Sequence, residues 1–165
     1  MITDTIEKQV RKLAALAEDQ SVMIATAESC TGGGIATVMT ELAGSSAWFD
    51  AGFVTYSNEA KNRMLDVSMA VIEEHGAVSE PVVQAMAAGA VANSQAQLSV
   101  AVSGVAGPGG GTEIKPVGTV WIAWQSKAVS VSKVYQFTGE RAEVRLQTVE
   151  QALSGLIKLL DKNTV

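Results

Sequence analysis

The sequence predicts an α/β fold: a mixed, mostly parallel sheet of about five strands, covered by helices on both faces and including one late antiparallel hairpin. Three observations carry this expectation. Early in the chain, short apolar runs of strand length alternate with stretches of helical periodicity, the pattern of a mainly parallel sheet. Two late runs rich in β-branched and aromatic residues are separated by a hairpin-sized break, which adds antiparallel pairing. The chain has 165 residues, 47% hydrophobic and 18% charged, which suits a single domain over 1–165 with a good-sized core and argues against disorder.

Each element follows from its residues. Ile6, Val10, Leu13 and Ala17 recur at helical spacing with charges between them, so residues 3–18 form an amphipathic helix. Ser21–Ala27 is short and apolar, as a buried strand is. It runs into Glu28-Ser29-Cys30-Thr31-Gly32-Gly33-Gly34, after which Ile35, Val38, Met39 and Leu42 return at helical intervals. The first unit is therefore strand, small-residue turn, helix. Trp48–Tyr56 reads as a second strand. Ser57 or Asn58 caps a short helix carrying Lys61, Met64 and Leu65. Ser79-Glu80-Pro81 announces another helix, because Pro is tolerated in a first turn, and Val82–Ala92 continues it. Leu98–Val102 is a third buried strand. Val117–Trp124 and Val129–Phe137 are the hairpin strands, joined through 125–128. After Thr138 a last helix shows Val149, Leu153, Leu156, Ile157 and Leu160 on one face.

Composition excludes several functions. Lys plus Arg is 12 and Asp plus Glu is 17, a net charge of −5 with no basic cluster, so nucleic acid is not an expected partner. No apolar run reaches the ~18 residues of a membrane span, and the N-terminal stretch has no apolar signal core. A cytoplasmic protein is expected. One Cys and one His cannot build a structural zinc site or a His-rich iron or copper site, so no metal or cofactor is expected. A Ser–His–Asp triad would have to run through His75. A hydrolase on this chain therefore needs a base other than His. A lightly charged, apolar chain of this size makes a homodimer plausible.

The candidate residues gather at the carboxyl ends of the strands, where ligands sit in such sheets. In TAESCTGG, Ser29 is a hydroxyl at a strand end, followed by the free N–H groups of a helix start. It serves either as a nucleophile beside an oxyanion hole or as a helix cap with glycines for tight packing, and for a lone S-C-T-G-G the cap is commoner. Lys61 is a solvated surface charge by default. As a general base it would need burial to bring its pKa down towards neutrality. Ser57, four residues before Lys61, is a rival nucleophile. Cys30 is a small buried filler or a thiol nucleophile. Ser103 opens the loop Gly104–Gly111, which holds five glycines in eight residues and could cradle a phosphate on its amides. It is not a P-loop, since no G-K-[ST] follows. Arg141 and Arg145, four apart at the start of the last helix, either pair with Glu residues or bring one guanidinium to an anionic ligand; their opposition to the dipole there slightly favours a specific reason for them.

Taken together and in order, TAESCTGG, GFVTYSNEAK, GAVSEPVVQAMA, SGVAGPGGGT-x-x-KPVGTVW and FTGERAEVR resemble the CinA C-terminal family over nearly the whole chain. The resemblance implies a three-layer α/β/α sandwich. It implies hydrolysis of the carboxamide of nicotinamide mononucleotide to nicotinate mononucleotide and ammonia, in pyridine-nucleotide recycling, without a metal. It places the family's serine and lysine pair on Ser29 and Lys61 and its motif tyrosine on Tyr56. Many relatives carry Thr where this chain has Ser103, a departure that keeps the hydroxyl. On this basis the amides around Cys30, Thr31, Gly32 and Gly33 are expected to hold an oxyanion. Ser103, Gly104, Gly107, Gly109, Gly110 and Arg141 are expected to bind the small-molecule substrate, and Tyr56 to position Lys61 or share its proton. The alternative is a non-catalytic nucleotide-binding regulatory module.

Overall fold

The computed structural model describes residues 2–163 and 165. Thr3 opens α1 (Asp4–Asp19), its hydroxyl accepting from the Ile6 N–H at 3.1 Å. The predicted strand from Ser21 starts three residues later, as β1 (Ile24–Glu28). The reason is local: the Val22 N–H closes the end of α1 on the Ala17 carbonyl and Ser21 takes a positive φ of 54°, so these residues are spent on a turn. After β1 come α2 (Gly34–Thr40), a 3₁₀ turn (Ser45–Ala47) and β2 (Phe49–Val54). Next is α3 (Asn58–Leu65), where Ser57 is the cap and accepts from the Ala60 N–H at 3.0 Å.

A helix absent from the sequence reading follows, α4 (Met69–His75). It has 7 residues and buries only Ile72, so it offers no periodic stripe to detect. Then come α5 (Glu80–Ala92), β3 (Leu98–Gly104), β4 (Thr119–Gln125), β5 (Ser130–Gln136) and α6 (Arg141–Asp161). The cap of α6 is Glu140, in a reciprocal capping box with Glu143, two residues beyond Thr138.

The sheet order is β2-β1-β3-β4-β5. β1 pairs in parallel with β2 and β3, while β4 is antiparallel to both β3 and β5. Four strands thus run one way and β4 alone is reversed, a mixed sheet of the predicted kind. Its two faces differ in size of side chain. Ile24, Leu98, Val100, Val102, Val120, Ile122 and Trp124 pack against α1, α2 and α6. Ala25, Ala27, Ala101 and Ala123 face α3, α4 and α5, and these small residues let the Ala-rich α5 approach closely. On the first face, Trp124 donates from its indole N–H to the Ala152 carbonyl at 3.0 Å and lies against Gly155. A Cβ at Gly155 would enter the indole ring, so only glycine admits this contact.

The topology places the site. From β1 the chain moves to one side for β2 and then crosses back to the other side for β3, so the sheet changes direction beside β1. The crevice at such a point, beyond the strand carboxyl ends, is where doubly wound sheets bind ligands. The strand ends are tied there by the Ser29 N–H to the Val102 carbonyl (3.1 Å) and the Thr55 N–H to the Glu28 carbonyl (2.9 Å).

Glu28, fully buried at the end of β1, had no assigned role from sequence. Its carboxyl group accepts from the Thr31 hydroxyl (2.6 Å), the Ile35 N–H (2.7 Å) and the Ala36 N–H (3.0 Å). It therefore caps α2 from the strand and closes the turn that carries Ser29. Glu28→Ala would strand those donors in the core, at a cost of about 3 kcal/mol. The expected readout is a thermal midpoint lowered by roughly 10 °C. An unchanged midpoint would remove this role from Glu28.

Candidate active site

Three segments meet at the crevice: the turn after β1, the turn after β2 with the start of α3, and the loop after β3. With the turn after α4 and the start of α6 they enclose an open cleft of about 290 Å³ lined by Ser29, Cys30, Tyr56, Asn58, Lys61, Ala77, Val78, Arg141 and the loop residues 103–107, Gly109 and Gly110. Asn58, Ala77 and Val78 were not anticipated. Ala77 and Val78 come from the turn after α4 and carry no chemical signal in the sequence.

Lys61 is the most informative residue. It lies on the buried face of α3 and is only 1% exposed. Its Nζ is 3.0 Å from Ser29 Oγ, and it donates to the carbonyls of Thr55 (3.0 Å) and Tyr56 (3.3 Å). Sequence alone predicts that β2 runs on through Tyr56. It ends instead at Val54, and the next two carbonyls turn to face the amine. All three neighbours are neutral oxygens, and no carboxylate pairs with Lys61 among the described residues. Burial without a counter-ion disfavours the ammonium, so the Lys61 pKa is lowered from the ordinary lysine value.

The turn Ser29–Gly33 divides in two. Ser29 and Cys30 face the cleft, whereas Thr31, Gly32 and Gly33 lie outside its lining. The Gly32 N–H donates back to the Ser29 carbonyl at 3.0 Å, so it is spent on the turn and corrects the expectation that it faces substrate. Gly32 (φ 57°) and Gly33 (φ 97°) adopt left-handed backbone, and Gly33 packs beside Val54. Their requirement for glycine is conformational. The N–H groups of Cys30 and Thr31 meet no acceptor from another residue among those described. The Cys30 thiol is buried, and burial pushes its pKa up to about 11.

Tyr56 acts through two different groups. Its carbonyl accepts from Lys61, but its exposed phenol accepts from Arg141 Nη2 at 3.1 Å. Proton sharing between the phenol and Lys61, one of the two roles expected from sequence, is therefore not supported by the geometry. Tyr56→Phe keeps the carbonyl and should leave the Ser29–Lys61 contact intact. We expect kcat within about 3-fold of the parent, with any change falling on KM; a kcat loss beyond 100-fold would give the phenol a chemical role.

Arg141 also donates to the Gly107 carbonyl at 2.7 Å, tying the start of α6 to the glycine loop next to the cis Gly107–Pro108 peptide. The N–H groups of Gly107, Gly109 and Gly110 have no acceptor among the described residues. Ser103 differs from expectation: its hydroxyl donates to the Ala77 carbonyl at 2.8 Å and is 1% exposed, so it holds the wall of the cleft together. Gly104 ends β3 tightly against Val120. His75 closes α4 and lies outside the cleft. Ser57 is spent as the cap of α3. No group of three or more His, Cys, Asp or Glu side chains among the described residues could hold a metal ion, and no helix there is long and apolar enough to cross a membrane.

Residues 5–160 match the CinA C-terminal domain. The nicotinamide-nucleotide amidohydrolase PncC of Pseudomonas putida is 55% identical over 139 residues, covering 84% of this chain and 87% of that protein. The protein of the same name from Escherichia coli K12 is 51% identical over 142 residues, covering 86% of each. Among solved structures, the competence/damage inducible protein CihA of Agrobacterium tumefaciens overlays with a TM-score of 0.94 at 43% identity, covering 96% of this chain and 98% of that one. A match over most of the chain, relatives above half-identical and a shared architecture agree: the chain belongs to the CinA C-terminal domain family.

Proposed function

We propose that this protein hydrolyses the carboxamide of nicotinamide mononucleotide, giving nicotinate mononucleotide and ammonia, with Ser29 as nucleophile and Lys61 as general base. The observation that carries the proposal is the buried Lys61 Nζ, 3.0 Å from Ser29 Oγ and without a counter-ion. A neutral amine has two N–H bonds and one lone pair. The carbonyls of Thr55 and Tyr56 take the two N–H groups, which leaves the lone pair for the Ser29 hydroxyl.

In the first half-reaction the Ser29 proton passes to Lys61 Nζ as Oγ bonds to the carboxamide carbon. The tetrahedral intermediate collapses, the C–N bond breaks, and ammonia leaves with the proton from Lys61. In the second half a water gives a proton to Lys61 and attacks the ester. Ser29 Oγ departs and regains its proton. The Cys30 N–H, on the cleft wall, supplies the oxyanion donor, worth about 3–4 kcal/mol. The amides of Gly107, Gly109 and Gly110, with Arg141, take the phosphate. Although the chain carries a net charge of −5, the cleft is lined by the Arg141 guanidinium and by no carboxylate among the described residues, so the local field suits an anion even with Lys61 neutral. The names of the amidohydrolase relatives support the same substrate.

The test is incubation of the pure protein with nicotinamide mononucleotide and measurement of ammonia and nicotinate mononucleotide. Equimolar release of both is expected. Saturable nucleotide binding with no ammonia would replace the proposal with a non-catalytic binding module. Cys30→Ala should keep kcat/KM within about 5-fold, since a buried thiol with a raised pKa is a poor nucleophile at neutral pH. A dead Cys30→Ala variant that still folds would move the chemistry from Ser29 to the thiol.

A further inference from the structure

The Arg145 side chain reaches from α6 to the back of the Ser29 turn. Its Nε donates to the Cys30 carbonyl at 3.2 Å and its Nη2 to the Thr31 carbonyl at 3.1 Å. It is not part of the cleft lining, whereas Arg141, one helical turn earlier, is. The two arginines have separate work in the structure.

A trans peptide is planar, with its C=O and N–H pointing in opposite directions. Drawing the Cys30 carbonyl towards Arg145 therefore turns the Thr31 N–H away from it. Drawing the Thr31 carbonyl the same way turns away the Gly32 N–H, which then reaches the Ser29 carbonyl at 3.0 Å. That contact holds the Ser29 carbonyl and so orients the Cys30 N–H on the far side of its own peptide. One guanidinium thus sets three successive peptide planes. Two of the resulting N–H groups, those of Cys30 and Thr31, have no acceptor from another residue among those described. Among the described residues nothing else donates to the Cys30 and Thr31 carbonyls except the Gly34 N–H on Thr31, at 3.0 Å. A five-residue turn with left-handed Gly32 and Gly33 has other backbone orientations open to it, so an external clamp has something to select.

The geometry points to Arg145 as a positioning residue that preorganises the oxyanion donor, the Cys30 N–H, from behind the turn, without touching substrate. This inference rests on the proposed amide hydrolysis. A fixed donor matters most when charge develops on the carbonyl oxygen, so its loss falls on the transition state and spares ground-state binding.

The experiment compares the parent protein with Arg145→Lys and Arg145→Met. Steady-state ammonia release from nicotinamide mononucleotide is measured alongside inhibition by the analogue bearing a 3-formyl group in place of the carboxamide. The aldehyde adds Ser29 reversibly as a hemiacetal, and its oxygen probes the same donor. For Arg145→Met we expect kcat to fall about 100-fold with KM within about 3-fold, the scale of losing one oxyanion donor. Aldehyde affinity should fall in parallel with kcat/KM, and the pH midpoint set by Lys61 should stay in place. Arg145→Lys keeps the charge but lacks the planar guanidinium that meets the two carbonyls from separate nitrogens, so it should lose at least 10-fold in kcat; this variant also serves if Arg145→Met does not fold. Several results would overturn the inference: kcat unchanged in a folded variant, a loss confined to KM, which would make Arg145 an anion-binding residue, or unaltered aldehyde affinity. If the parent itself releases no ammonia, the proposed function fails and takes this inference with it; if the parent is active and both variants match it, only the inference fails.

Discussion

Ser29→Ala is expected to abolish ammonia release while leaving the fold in place. Among the described residues the Ser29 Oγ is the one serine hydroxyl bonded to Lys61 Nζ, and the two other oxygens around that amine are backbone carbonyls. Removing a nucleophile that acts as a unit with its base costs on the order of 10⁴–10⁶ in kcat, leaving only what binding and the oxyanion donor supply. The turn itself should survive, because it is held by the Glu28 cap, the Gly32 N–H on the Ser29 carbonyl and the Arg145 contacts, none of which uses the Ser29 side chain. The thermal midpoint should stay within a few degrees and nucleotide affinity should be retained by direct titration. Ammonia release within 10-fold of the parent would remove Ser29 from the chemistry.

Lys61→Met should be comparably damaging, with a loss of at least 10²–10⁴ in kcat, the range supplied by a positioned base. The pH dependence makes the assignment sharper. The base must be neutral to accept the Ser29 proton, so kcat/KM of the parent should rise with pH and level off above the Lys61 pKa. Burial lowers that pKa, which brings the rise to lower pH than an exposed lysine would show. The same shift acts on stability. Between the lowered pKa and the ordinary one, the unfolded chain binds more protons than the folded chain, so stability increases as pH rises through that window. Below the window both states are protonated and the cost of burying the ammonium is present in full. Lys61→Met should lose this component of the pH dependence of unfolding. A flat kcat/KM profile in the parent, with chemistry shown to be rate-limiting, would exclude a titrating lysine.

The fold was legible because burial follows period. The stripe Ile6, Val10, Leu13, Ala17 is a helix that buries those four positions and, beside them, Ala14. Leu98–Val102 is a strand because every residue of it is buried on both faces. What escaped was short or spent on local bonding. The helix α4 has no stripe, and Thr55 and Tyr56 look like strand until Lys61 claims their carbonyls.

The sequence by itself determined the alternation of elements, the parallel core with its reversed strand, and which chemical groups were available: one serine turn, one lysine after the second strand, one glycine loop, and too few His and Cys for the commoner catalytic sites. It named Arg141 for the substrate but gave Arg145 no role of its own, and it could not separate the amides of Cys30 and Thr31 from that of Gly32. Those distinctions depend on where a side chain or an N–H points. Only the tertiary structure decided that Lys61 is buried against Ser29, because burial of a charge is a property of the three segments that surround it and of none of them alone.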